Sequence, residues 1–378
     1  MTGASLHLAL RHTIVAHDPA PPSTDSAPLT APLRHRESLF RRDTPLLAHA
    51  NPKNTLQGHL AEQCAAAGMG VVYVTTSEKA MRELRRRHDA AGTANMLFDA
   101  ARYCGNSRTF APADLSAGWV SAQLRAGATK AITDSPYIPA NSIEGLRSVL
   151  SQARAFKDVI AALPLAKWWL ATAADTLVDM VNRAGIPVAL MVEDRNDPFA
   201  SAPAVSGLIH LLDHTTVPVL LLRCDASAIG AVAFGASHGA VGTSTSLRHI
   251  YPVTKRKGGG GHSPAIAAWV PRAMAFRTLE NIGLAALKLS DDRTLWQCSC
   301  TQCAGESIEW IATEDEAAIH SLLSLAELTD LILADPVTAR LAWIERCRTA
   351  LSVNQEINAD LINNWPVPAY LTPWVAGR

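Results

Sequence analysis

Between residues 70 and 270 the chain alternates short, continuously apolar runs with longer segments whose apolar residues recur every three or four positions. The apolar runs are GVVYVTT (70–76), NMLFDAA (95–101), TKAITDS (129–135), DVIAALPL (158–165), IPVALMVED (186–194), VPVLLLRCD (217–225), GAVGTS (239–244) and AIAAWV (265–270). Between them stand SEKAMRELRRRHDAAG, SIEGLRSVLSQARAF and TAADTLVDMVNRAG, each with an apolar stripe at helical spacing. Strands without a polar face belong to a sheet covered on both sides, and their alternation with amphipathic helices makes that sheet parallel. Eight such units over about 200 residues predict a (β/α)8 TIM-like barrel rather than a doubly wound open sheet. No G-x-G-x-x-G turn follows the first strand, as a dinucleotide-binding sheet would require.

The flanks follow other patterns. Residues 1–50 include HDPAPPSTDSAPLTAPLRHR, a Pro-, Ser- and Ala-rich stretch expected to form an extended arm. Order is expected to begin in NPKNTLQGHLAEQCAAAG, a helix closed by Gly68. The barrel is assigned to residues 51–290, and a zinc-binding and helical region to 291–378. There, TEDEAAIHSLLSLAELTDLI has the period of an amphipathic helix, further helices follow, and WPVPAYLTPW reads as an interaction tail.

Composition narrows the class. Apolar residues make up 48% of the 378 and charged ones 18%, and the net charge is zero. This describes a globular chain with a large core and no global field toward nucleic acid or membrane. No apolar run approaches the ~20 residues of a membrane span. The N-terminus lacks the basic start and long apolar run of a signal peptide. Seven cysteines, odd in number, in a chain with an ample core point to a reducing cytoplasm rather than to disulfide stapling.

Three of those cysteines stand together. LWQCSCTQCAGESIEW brings Cys298, Cys300 and Cys303 into one tight loop, a spacing that suits tetrahedral Zn2+ with a fourth ligand from elsewhere. His320, on the amphipathic helix 17 residues beyond Cys303, is the candidate. His262, in a Gly-rich loop, is the alternative. Three thiolates and an imidazole leave no open position, so such a zinc is structural.

In a barrel, chemistry sits where strands end. Asp99, Asp134, Glu193 with Asp194, and Asp225 end four of the apolar runs, although helix capping also favours aspartate there. KRKGGGGHS combines Lys255, Arg256 and Lys257 with four glycines, either a phosphate-binding loop or a solvated one. RELRRRHDA places Arg82, Arg85, Arg86 and Arg87 on a helix, a nucleic-acid footprint or a solvated face. Trp168, Trp169 and Trp310 are assigned to core or interface.

A Cys-x-Cys-x-x-Cys loop with a later helical histidine, placed after a barrel, resembles the tRNA-guanine transglycosylase superfamily and its relatives that insert 7-deazaguanines into DNA. NMLFDAARYCG is similar to the family strand ending in Asp-Ser-Gly-Gly-Phe, and ITDSPYIPA to its Asp-Glu-Cys-Thr-Pro-Tyr segment. The resemblance covers about residues 50–335. It implies base exchange, with guanine in tRNA or DNA replaced by a 7-deazaguanine-type base. A carboxylate attacks the ribose C1′, another handles protons, and a third accepts hydrogen bonds from the base edge. The target nucleotide must first be unstacked into the pocket. On this likeness Asp99 is the first active-site aspartate, and Asp134 reads the base. Arg248, Lys255, Arg256 and Lys257 hold phosphate. The family's nucleophile lies in a Phe-Asp-Cys-Val-x-Pro-Thr-Arg stretch, which is matched here by GAVGTSTSLRHIYPVTKRKGGGG. Thr243 and Ser244 stand in the nucleophile's place. Either Asp225 or Asp99 then supplies the nucleophile, or the chain is a non-catalytic partner subunit, or it acts on a free nucleoside or base. The implied partners are tRNA or DNA, a 7-deazaguanine-type base, and a second subunit in a homo- or heterodimer.

Overall fold

Continuously apolar runs can lie only where both faces are covered, and they do so here. In a computed structural model describing residues 39, 45–52, 60–92, 95–253, 265–289, 293–360 and 365–376, eight parallel strands form a nearly closed barrel. They are β1 (Leu46–Ala50), β2 (Gly70–Val74), β3 (Met96–Asp99), β4 (Ala131–Ile132), β5 (Val159–Ala166), β6 (Val188–Glu193), β7 (Val219–Cys224) and β8 (His238–Gly242). The order is β3-β2-β1-β8-β7-β6-β5-β4, so β8 returns to pair with β1 through Leu47 opposite Ala240. The gap in the ladder falls between β3 and the two-residue β4.

Side chains alternate along each strand. Leu47, Val72, Leu97, Ile160, Met191 and Leu220 fill the barrel interior. Leu46, Val71, Phe98, Leu163, Leu190 and Leu221 face outward into the larger core shared with the helices. Those helices are α1 (Leu60–Ala66), α2 (Glu78–Ala91), α3 (Ala117–Arg125), α4 (Ile143–Arg154), α5 (Trp168–Ala171), α6 (Ala174–Ala184), α7 (Ala202–His214) and α8 (Ser227–Ala233). Local chemistry sets their ends. The Ser77 hydroxyl accepts from Ala80 N–H and the Ser116 hydroxyl from Trp119 N–H, and Gly92, at φ +78°, closes α2.

Beyond the barrel, β9 (Ala267–Val270) and β10 (Ala275–Thr278) form an antiparallel ribbon. Then follow α9 (Leu279–Lys288), α10 (Glu314–Leu333), α11 (Ala339–Asp360) and α12 (Leu371–Ala376). A reciprocal capping box between Thr313 and Glu316 starts α10. A second core joins Val270, Ile282, Trp296, Ile308 and Leu323 around the three cysteines.

Three expectations change. The first barrel strand, Leu46–Ala50, lies inside the segment assigned to an N-terminal arm. AIAAWV, counted among the barrel strands, belongs to the antiparallel ribbon, and periodicity could not tell the two apart. WPVPAYLTPW is no free tail, because Trp365, Tyr370 and Trp374 are all buried. Trp169 is also buried in the core, as expected. Arg82, Arg85, Arg86 and Arg87 pair along α2 with Glu78, Asp89 and Glu83, the pattern of a solvated helix face. Among the described residues, no helix is long and apolar enough to cross a membrane.

Candidate functional site

The C-terminal ends of the strands carry a set of buried charges. Asp99, the last residue of β3, is 2% exposed. Its Oδ1 accepts the Ala101 N–H at 2.8 Å, and its Oδ2 accepts the Tyr103 hydroxyl at 2.5 Å. His49 Nε2 lies 3.2 Å from the same Oδ2, and Arg223 Nε 3.5 Å from it. His49 Nδ1 accepts the Arg223 backbone N–H at 3.3 Å, which leaves the ring proton on Nε2, the nitrogen nearer the carboxylate. Burial alone would favour the neutral acid. The His49 contact, the Arg223 charge and the Tyr103 hydroxyl outweigh it and hold the Asp99 carboxyl well below the usual range. Burial lowers His49, and its contact with Asp99 only partly offsets this. The Tyr103 phenol is driven well above its ordinary value, chiefly by burial.

Asp134, just past β4, is equally committed. Its Oδ1 accepts Ser116 N–H at 2.9 Å, and its Oδ2 takes Arg102 at 2.7 Å. Glu193, the last residue of β6, accepts the Tyr137 hydroxyl at 2.5 Å and pairs with Arg108. The Arg108 guanidinium lies 4.1 Å from the Tyr137 ring centre and 5.0 Å from that of Phe110. Asp194 pairs with Lys167. Arg102, Tyr103 and Arg108 all come from the single loop after β3, which lies over the ends of three strands.

Asp225, half-buried after β7, accepts Ala226 N–H at 2.7 Å. Among the described residues no cation stands within ion-pair distance of it or of Asp197. The Asp197 carboxyl is pushed up to about 7, first by burial and then by the Asp225 charge, against a hydrogen bond from Phe199 N–H. Sequence reasoning missed Asp197 because it follows the strand end by four residues; its signal was the Asp-Pro-Phe start of a short helical turn.

Thr243 directly follows β8, and its N–H and hydroxyl both bond back to the His49 carbonyl. Arg248 does not reach Asp99. It stacks on Phe276 at 3.4 Å and lines a cavity of about 120 Å3 with Thr243, Ser244, Glu314 and Ser321. Burial lowers its guanidinium's pKa. Lys255, Arg256, Lys257 and His262 lie outside the described residues. A separate cavity of about 530 Å3, lined by Asn51, Thr75, Thr76, Ser77, Glu83 and Arg87, opens at the ends of β1 and β2, and none of the strand-end carboxylates lines it.

The four expected metal ligands do come together. The ligand atoms of Cys298, Cys300, Cys303 and His320 all lie within 4.8 Å of one another and are buried. His320 Nδ1 faces the Cys303 and Cys300 sulfurs at 3.1 and 3.7 Å. Its Nε2, 2.7 Å from the Trp269 carbonyl, donates there, which fixes the tautomer with a free Nδ1 lone pair. Ala304 and Gly305, at φ +51° and +93°, turn the chain back so that Gly305 N–H reaches the Cys298 carbonyl. Without a cation the cluster cannot ionise together. The hydrogen bond that the Cys298 thiol donates to Cys300, helped by burial, pushes Cys298 up to about 12, while accepting it lowers Cys300. Three sulfurs and one imidazole nitrogen fit a metal ion, and no fifth protein ligand lies nearby among the described residues.

No protein-family model matches the chain, and no curated protein does. Among solved structures, a thiamine phosphate pyrophosphorylase from Pyrococcus furiosus is 11% identical, over 55% of this chain and 92% of that one, with a TM-score of 0.31. A deoxyribose phosphate aldolase from Aeropyrum pernix is 13% identical over 55% and 88%, at 0.35. A dihydrodipicolinate synthase from Rhodopseudomonas palustris is 14% identical over 59% and 73%, also at 0.35. These likenesses are too distant to bear on what the chain does.

Proposed function

We propose that the chain is a zinc-stapled barrel of the guanine transglycosylase type, exchanging guanine for a 7-deazaguanine-type base in tRNA or DNA. The observation that supports this most is that two buried aspartates, Asp99 closing β3 and Asp134 two residues past β4, stand at the ends of the strands on either side of the gap in the ladder. Cys298, Cys300, Cys303 and His320 would hold zinc, which fixes the C-terminal region and takes no part in the exchange. Both Asp99 oxygens are taken, so Asp225, with no cation within ion-pair distance among the described residues, is the carboxylate free to attack C1′. Asp197 beside it holds a proton near neutral pH and can pass it to the departing base. Asp134 accepts the N–H edge of the base once Arg102 yields its place.

A second reading is a non-catalytic partner subunit. It is favoured by the hydroxyl of Thr243 where the resemblance places a nucleophilic aspartate, and by the cations that occupy Asp99, Asp134 and Glu193. One assay separates the two. Purified chain is mixed with guanine-labelled tRNA, duplex DNA or single-stranded DNA plus 7-deazaguanine bases. Guanine release that disappears in Asp225→Ala supports exchange. No release from any substrate by folded, metal-loaded protein moves the assignment to the partner subunit.

A further inference from the structure

At β7 the barrel departs from its own alternation. Leu220 and Leu222 face the axis and Leu221 faces the helices, so Arg223 should turn outward with Leu221. It does not. Leu221 pairs with Gly239 but Cys224 with Val241, three steps in β7 against two in β8, so one residue is inserted as a bulge. Arg223 itself sits at φ +48°, in the left-handed region where glycine or asparagine would rest at lower cost. The backbone there does not ask for arginine; only the side chain's contacts do. Turned inward and 7% exposed, it stands 3.5 Å from Asp99 Oδ2 and donates from Nη1 to the Ser246 carbonyl at 3.2 Å. Its own N–H holds His49 Nδ1, and its guanidinium lies 5.3 Å from the Tyr103 ring centre.

We infer that Arg223 is the positioning residue of the mouth, fixing Asp99 as a buried anion and tying β3 to the turn that carries Thr245–Leu247. The bulge exists to aim it. Backbone strain of this kind persists where the surrounding contacts over-determine it. The groups facing Asp99 are His49 from β1, Tyr103 from the loop after β3 and Arg223 from β7, with the Cys104 thiol next beyond. Of these Arg223 is the fixed cation. Without it, burial would no longer be opposed by a permanent charge.

The inference rests on the base-exchange reading only for its activity arm, and glycine and lysine separate the possibilities. Arg223→Gly accepts the backbone angle and removes the guanidinium. Arg223→Lys keeps a charge and loses the fork. Full-length, metal-loaded wild type, Arg223→Gly, Arg223→Lys, Asp99→Asn and the Asp99→Asn/Arg223→Gly double variant are unfolded in urea at neutral pH. The expected result is strong coupling, in which Arg223→Gly lowers the midpoint in the wild-type background and barely changes it in the Asp99→Asn background. Additive losses would overturn the assignment. In the guanine-release assay, Arg223→Gly should lose about tenfold or more in kcat, with part of the rate regained by Arg223→Lys. Lost rate that Arg223→Lys does not restore at all would mark a merely structural arginine. If wild type releases no guanine, the base-exchange reading fails, and the unfolding cycle alone decides the role of Arg223.

Discussion

Asp197 shows how one residue can be held against its preference. Its carboxyl, pushed up to about 7 by burial and by Asp225, stays protonated in the folded chain where the unfolded chain, at about 3.9, has already ionised. A folded value raised above the unfolded one means the folded state binds the extra proton. Stability is therefore lost as pH rises from about 4 to about 7, and the loss persists above that. Asp197→Asn keeps an oxygen for the Phe199 N–H and removes the charge. It should be more stable than wild type at about pH 8, by on the order of 1–3 kcal/mol, with the gap closing near pH 4. Urea midpoints at the two pH values measure this, and equal midpoints at the higher pH would mean that Asp197 ionises freely. At this scale the strand-end acids Asp99 and Asp134 were legible, because an aspartate closing an apolar run stands out. Their partners were not. Arg223 reads as an outward residue on a period-two strand, and only a backbone insertion reverses it. Arg102 and Arg108 lie in a loop whose path no periodicity records.

Elements were read unevenly, for physical reasons. Strands buried on both faces announce themselves as apolar runs, so β2 through β8 were visible. β1, five residues of LLAHA behind a Pro-rich stretch and with a histidine turned inward, carried too short a signal. The cysteine loop was the clearest element, since its spacing leaves few alternatives to shared coordination. Its structure adds the means of fixing His320, through the Trp269 carbonyl on the ribbon first assigned to the barrel. The cysteine–histidine cluster thus ties β9 to α10, and a metal bound there should contribute folding energy to this region. Metal analysis of purified protein should find about one zinc per chain, lost in Cys300→Ser. Chelation should remove protection from hydrogen exchange around residues 298–308 before it affects the barrel, because the cysteines belong to the smaller core and not the larger. A metal-free chain with full protection there would refute the staple.

For the molecule as a whole, the question is whether the C-terminal segment closes the fold or reaches for a partner. WPVPAYLTPW resembles an exposed docking element in composition alone. In the structure it is locked under the barrel's helices. The Tyr370 hydroxyl donates to the Met274 carbonyl at 2.5 Å, and Trp374 Nε1 to the Ser227 hydroxyl at 2.9 Å. The Trp374 ring packs against Phe234 and edge-on to Trp343, at 5.4 and 5.7 Å between centres. Gly230 of α8 lets them in, because a Cβ there would stand 2.6 Å from Trp343 and 2.8 Å from Trp374. This segment is thus sealed against α8, which follows the strand carrying Arg223. Trp374→Ala should cost about 3–5 kcal/mol, the usual loss for a buried tryptophan, and leave the Ser227 hydroxyl unpaired. The loss should appear as a lower urea midpoint for the main unfolding transition, with the oligomeric state unchanged by sedimentation. If instead the variant unfolds like wild type but sediments as a smaller species, Trp374 serves a partner chain, and the segment is an interaction element after all.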